Sequence, residues 1–214
     1  MRYIVRLPEP HILTNRKVLW LQNFLASGKK RPDSSKYAHN QVKVQLNSMS
    51  HDKCFYCETK LKGKRKEVDH HIEVTVDNTL SFEWLNLCLA CDSCNNKVKH
   101  DTISINDALN PCIDSDNEIE LHLSFDDELI EPNNGSPKGL LTIQKYRLDS
   151  EVLDTRRLKR LKLFYKLLVE IRDEQIRTGR DHLTANELSA INKFKYPYNS
   201  YSLMFKILLR KHGY

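Results

Sequence analysis

Glycine is scarce, with 6 in 214 residues, and no GxxxxGK[ST] string occurs. The chain therefore lacks the loop whose backbone amides cradle nucleotide phosphates, and any ATP dependence must come from a partner. No run of about 18 apolar residues exists, which excludes a helical membrane span. The start, Met1-Arg2-Tyr3-Ile4-Val5-Arg6, has no apolar leader with a cleavage site, so the expectation is a cytoplasmic protein with reduced thiols. Neither an internal repeat nor a long low-complexity tract is present, which excludes solenoids and extended disordered arms.

Cysteine, by contrast, is concentrated. Four of the six form two CxxC pairs, Cys54/Cys57 and Cys91/Cys94, separated by 33 residues. Each pair makes a turn that aims two sulfurs at one ion, and four thiolates complete a closed tetrahedral zinc site. Disulfide pairing is the alternative, and it conflicts with a reducing compartment. Cys88 and Cys112 have no partner at ligand spacing and read as small buried apolar residues.

The residues between the two knuckles carry chemistry. Glu67-Val68-Asp69-His70-His71-Ile72 has strand character around a polar centre. Asp69 offers a hard oxygen to a divalent cation, and His70 offers a base with near-neutral pKa. Together they suit phosphodiester cleavage, where water must lose a proton and phosphate charge must be stabilised. Asn95, on the first turn of a helix opened by Cys91 to Cys94, would add a neutral second oxygen ligand. Strand alternation lets only one of His70 and His71 face the cation; the one following Asp69 is chosen, with His71 and Glu73 as secondary candidates.

Net charge is +6, and residues 1–66 hold fifteen Lys and Arg against four carboxylates. That excess ends in Lys60, Lys62, Lys64, Arg65 and Lys66, around Gly63. A basic loop abutting a metal site fits sequence-independent phosphate contacts, and a solvated turn is the plainer account of the same residues.

The stretch Cys54 to Lys97 resembles the HNH, or ββα-metal, nucleases in their four-cysteine variant. The closest part is Asn86-Leu87-Cys88-Leu89-Ala90-Cys91-Asp92-Ser93-Cys94-Asn95-Asn96-Lys97. The resemblance implies that Asp69 and Asn95 hold a catalytic Mg²⁺ or Mn²⁺, His70 is the general base, and Asn86 braces the hairpin turn. It makes Lys97 a candidate phosphate contact, beside Lys64, Arg65 and Lys66. At chain scale, Leu109-Asn110-Pro111-Cys112, the acidic strand after it, Gly139-Leu140-Leu141-Thr142-Ile143 and Tyr146-Leu148 look like the HNH subunit of Septu-type antiphage systems, a type also found beside some retrons. That resemblance implies a nucleic-acid substrate and an ABC-like ATPase partner. A zinc-stapled binding module without catalysis is the alternative function, and a particular RNA the alternative to DNA.

The predicted fold class is α+β. A central ββα-metal core with structural zinc at 51–110 is flanked by mainly helical regions at 1–50 and 111–214. Val18, Leu19, Leu21, Phe24 and Leu25 predict a first helix, and a second starts near Ser34 and runs through Tyr37, Val42 and Leu46. Asp107 to Glu131 contains nine carboxylates and no Lys or Arg. Within it, Ile119 to Phe125 alternates like a strand, with Leu140 to Ile143 as its partner across the Pro132–Pro137 turn. Apolar residues at three- and four-residue steps predict a long helix from Asp149 to Thr178, with Arg156, Arg157, Lys159, Arg160, Lys162 and Lys166 on its polar face. Thr184 and Glu187 form a capping box for a short helix, and Tyr201 to Leu209 packs as a last element.

Overall fold

A computed structural model describes residues 1–61 and 66–213. The chain is α+β, with two small antiparallel sheets among helices. Helix α1 (His11–Ala26) leads to a short α2 (Ser34–Tyr37) and α3 (Asn40–Ser50). The predicted single helix after Ser34 is thus two: Asp33 caps α2 and His39 caps α3, each accepting a backbone N–H two residues on. Two side-chain caps in seven residues restart the helix more favourably than propensity continues it.

Strand β1 (Glu67–His70) pairs with β2 (Leu87–Ala90), placing Asp69 opposite Cys88 and His70 opposite Leu87. Helix α4 (Asp92–Asn95) follows at once, completing the ββα unit. Beyond it come α5 (Asp116–His122), β3 (Leu123–Asp126), β4 (Leu129–Pro132) and α6 (Pro137–Tyr146).

The second hairpin differs from expectation. Residues 119–122 are helical because Ser115 accepts Glu118 N–H and acidic Asp116 and Glu118 occupy the positive end of the helix. The partner of β3 is β4, through a tight turn with Asp127 at φ 49°. Leu140 to Ile143 belong to α6, whose start is set by Ser136 as cap and Pro137 in the first turn. Gly139 is required there: a Cβ would lie 2.0 Å from the His122 carbonyl oxygen.

The long helix is present as α7 (Glu151–Thr178), ended by Gly179 at φ 66°. The capping box at α8 (Ala185–Asn192) forms as predicted, with Thr184 and Glu187 each serving the other's backbone. Helix α9 (Ser202–Lys211) is buried along most of its length. Arg157 is not on the polar face of α7 but buried, donating to the Glu128 and Leu148 carbonyls and to Asp154. It ties the β3–β4 turn to the α6–α7 junction.

One hydrophobic cluster joins Leu13, Val42 and Leu46 to Phe55, Leu61, Leu87 and Leu89 of the ββα unit. The same cluster takes in Leu153, Leu161, Phe164, Leu203, Phe205 and Leu208. The metal-binding segment is therefore packed between helices from both sides of the sequence. No described helix is long and apolar enough to cross a membrane.

Candidate active site

The first knuckle is a tight turn. Cys54 N–H donates to Thr59 O, Glu58 N–H to Cys54 O, and Phe55 N–H to Leu89 O on β2. Glu58 closes it in the left-handed region, φ 60°. That conformation disfavours a side chain, and Glu58 is held there by Lys53 Nζ at 3.0 Å, Ser202 Oγ at 2.6 Å and the Ser202 and Leu203 amides. The second knuckle starts at Cys91, the residue before α4, and ends at Cys94 within it.

The four sulfurs are buried and lie within 4.8 Å of one another, with Cys57 Sγ and Cys91 Sγ 3.7 Å apart. A zinc–sulfur bond of about 2.3 Å gives a tetrahedron edge of about 3.8 Å. None of the six cysteines is in a disulfide. The donor set fits zinc, and Cys54, Cys57, Cys91 and Cys94 would hold it as thiolates. Against the opposing effect of burial, hydrogen bonds with Cys54, Cys91, Cys94 and Thr59 hold the Cys57 thiol well below its ordinary pKa.

The knuckles fix the hairpin, and the hairpin fixes Asp69 and His70. Asp69 is buried, and its Oδ2 accepts from Tyr56 Oη and Lys97 Nζ, each at 2.7 Å. His70 is partly exposed; its Nε2 lies 2.9 Å from Ser81 O. A carbonyl can only accept, so the neutral ring carries its proton on Nε2 and leaves Nδ1 with a free lone pair. Burial holds the His70 pKa below the ordinary histidine value. The Tyr37 ring packs on the imidazole, centroids 4.5 Å apart.

Asn86 closes the loop between the strands. Its Oδ1 accepts Ile72 N–H at 2.7 Å, and its Nδ2 donates to Ile72 O and Leu80 O. The loop so fixed presents Ser81 to His70. Asn95 is exposed at the end of α4, a helix that packs on β1.

His71 faces other neighbours than His70. It is buried, 3.5 Å from Tyr146 Oη, and burial, followed by Lys97, Arg6 and Lys145, pushes its pKa to about 3. Glu73 pairs with Lys145, whose ammonium also donates to Ile103 O. Lys97 points inward: besides Asp69 it donates to the His70 and His71 carbonyls, with 4% of its side chain exposed. Lys66 is engaged by Asp52 at 2.8 Å. Lys64 and Arg65 lie outside the described residues.

Several contributors are silent in the sequence. Tyr56, inside the first CxxC, bonds Asp69 and stacks on Tyr146 of α6 at 4.2 Å. Arg6 donates to the Trp84, Leu85 and Leu87 carbonyls and lies 3.5 Å from Cys88 Sγ. Cys88 is buried in the hydrophobic core, as expected. A hydrogen bond from Cys112, opposed by burial and aided by Arg6, lowers its pKa to about 7. Only the position of Tyr56 between two ligands carried a signal.

A buried four-thiol cluster clamping a hairpin that presents adjacent Asp and His, with an Asn bracing the turn, is a specific combination. Residues 54–101 match the HNH endonuclease family. This HNH segment sits in a chain similar to two proteins named Septu protein PtuB. The one from Bacillus thuringiensis is 30% identical over 117 residues, covering 54% of this chain and 44% of the relative. The one from Bacillus mycoides (strain KBAB4) is 30% identical over 155 residues, covering 58% and 52%. The chain spans about half the length of the curated relatives it matches. Both the HNH and the Septu resemblances drawn from the sequence are found.

Proposed function

We propose that this chain is a metal-dependent HNH endonuclease that hydrolyses phosphodiester bonds, with zinc as a structural element and His70 as general base. The observation that carries the reading is the His70 to Ser81 bond. It fixes the tautomer, so that Nδ1 is free to take a proton from water, and burial keeps the ring neutral at neutral pH. Both described bonds to Asp69 fall on Oδ2. Oδ1 is then the oxygen that would bind Mg²⁺ or Mn²⁺, with Asn95 as a neutral second ligand that repels substrate phosphate less than a carboxylate would. A bound divalent cation supplies charge stabilisation to the phosphate and the leaving oxygen. Asn86 orients the base through the loop carrying Ser81. Lys97, Lys64, Arg65 and Lys66 are the phosphate contacts of this reading; Lys97 and Lys66 must first leave Asp69 and Asp52.

The similarity to PtuB supports a nuclease within an antiphage system, working with an ABC-like ATPase of the PtuA type. DNA and RNA are both open as substrates, since phosphate grip is common to them. One observation favours a second reading, a zinc-stapled binding module without catalysis: Lys97 already neutralises Asp69. Cleavage of mixed DNA and total RNA by wild type and His70→Ala, in Mg²⁺ and Mn²⁺, with and without the co-expressed ATPase, separates the two. Cutting lost in the variant supports the nuclease, and binding without cutting under every condition supports the module.

A further inference from the structure

Lys97 and Lys66 are held by Asp69 and Asp52. Further positive charge lies on the connection from α1 to α2 and on α2 itself, outside the matched residues. The stretch reads Ser27-Gly28-Lys29-Lys30-Arg31-Pro32-Asp33-Ser34-Ser35-Lys36-Tyr37 and ends with the Tyr37 ring against the His70 imidazole.

This connection is a built surface. Gly28, at φ 64°, turns the chain out of α1, and Ser27 Oγ donates to Phe24 O at 2.7 Å. Pro32 is buried and pins the middle. Asp33 Oδ1 accepts from the Ser35 amide and hydroxyl at 2.9 and 2.8 Å, fixing the start of α2. The segment's one carboxylate thereby caps α2, with Lys36 and Lys29 in its electrostatic field but not ion-paired to it. Lys29, Lys30 and Arg31 are exposed and Lys36 half-buried, and none of the four forms an ion pair with a described residue. The Tyr37 hydroxyl lies within electrostatic reach of Glu67, Arg31 and Asp69, so the ring against His70 stands between Arg31 of this connection and the carboxylates of β1.

Four uncommitted cations on a pinned loop, joined to a ring that touches the candidate base, form a track for a polyanion leading to His70. We infer that Lys29, Lys30, Arg31 and Lys36 bind the phosphodiester backbone of a nucleic acid beside the bond to be cut, the Tyr37 contact fixing that track relative to His70. This assignment rests on the nuclease reading and adds the surface that delivers its substrate. Contacts of this type give affinity without sequence choice and release counterions in proportion to the phosphates neutralised.

The test is fluorescence anisotropy of labelled single-stranded DNA, duplex DNA and RNA of one length, using zinc-loaded full chain in the His70→Ala background without added Mg²⁺ or Mn²⁺. The loop variant is Lys29→Glu/Lys30→Glu/Arg31→Glu. The control, Lys159→Glu/Lys162→Glu/Lys166→Glu, reverses three exposed charges on α7. The loop variant is expected to weaken binding of the preferred probe at least tenfold and to flatten the salt slope by about two to three, each lost phosphate contact contributing about 0.7 to 0.9. The milder Lys36→Gln should lower affinity by a smaller factor with an unchanged melting temperature. Equal binding by the loop variant, an equal loss in the α7 control, or no binding of any probe by the parent would each overturn the assignment. Loop-dependent binding by an otherwise wild-type chain that cuts nothing would instead leave the track standing and remove the nuclease reading.

Discussion

Lys97 Nζ lies 2.7 Å from Asp69 Oδ2, with 4% and 8% of the two side chains exposed. An ammonium thus holds one oxygen of the carboxylate that the sequence assigns to a divalent cation. Removing one partner of a buried ion pair leaves the other uncompensated, a cost of about 3 to 5 kcal/mol. Lys97→Met should therefore lower the melting temperature of zinc-loaded protein, and added Mn²⁺ should recover part of the loss by taking over Asp69. Melts with and without Mn²⁺ measure both; an unchanged melting temperature would mean that Asp69 has no need of a counter-charge.

Cys91→Ser removes one of four thiolates from a site that fits zinc. Structural zinc in small domains contributes about 10 to 16 kcal/mol of apparent binding energy at neutral pH, comparable to the roughly 5 to 15 kcal/mol of a domain's whole folding stability. The variant should aggregate or unfold and lose its zinc by mass spectrometry. Native melting with full zinc content would exclude the four-cysteine assignment.

His70→Ala should leave folding intact and lower cleavage by about a hundredfold or more, the usual scale for a general base. The acid limb of the pH profile carries a second expectation. Burial depresses the His70 pKa, so the proton-accepting form persists below the ordinary histidine value of about 6.5, and cleavage should fall off only as pH drops beneath it. A limb centred above that value would point to another base.

Glu58 predicts how stability responds to acid. Burial works to raise its pKa, but Lys53, the N-terminal ammonium and Ser202 outweigh burial and hold it at about 2. The unfolded value is about 4.3, so the unfolded chain binds the extra proton. The stabilisation is complete above the unfolded value and is lost as pH falls from about 4.3 through 2, at up to about 1.4 kcal/mol per unit. Glu58→Gln should be less stable at pH 7 and show a flatter acid dependence in chemical denaturation. Parallel pH curves for the two proteins would refute the role.

Asn86 was reached only through the family resemblance, whereas the knuckles and the Asp-His strand were legible because ligand spacing and adjacent polar residues are local facts. The segment around Ile119 was not: Ile119, Leu121, Leu123 and Phe125 fit a strand by alternation, while the caps at Ser115 and Ser136 decide for helices on either side of the β3–β4 hairpin. Tyr37, Tyr56 and Tyr146 reach the site only through packing between distant segments, which periodicity does not encode. Lys97 illustrates the same limit. Its position after Asn95 suggested an outward cation, whereas the fold supplies three buried acceptors that draw it in.

The Glu58 carboxylate, beside the first CxxC turn, takes two of its hydrogen bonds from Ser202, 144 residues further along the chain. During synthesis, the metal-binding hairpin therefore emerges long before the helix that locks it. Until that helix is available, Glu58 has neither the Ser202 hydroxyl nor the Ser202 and Leu203 amides to hold it in its left-handed turn. The turn carrying Cys54 and Cys57 is thus completed by a contact of long sequence separation, which forms only when both ends of the described chain pack together.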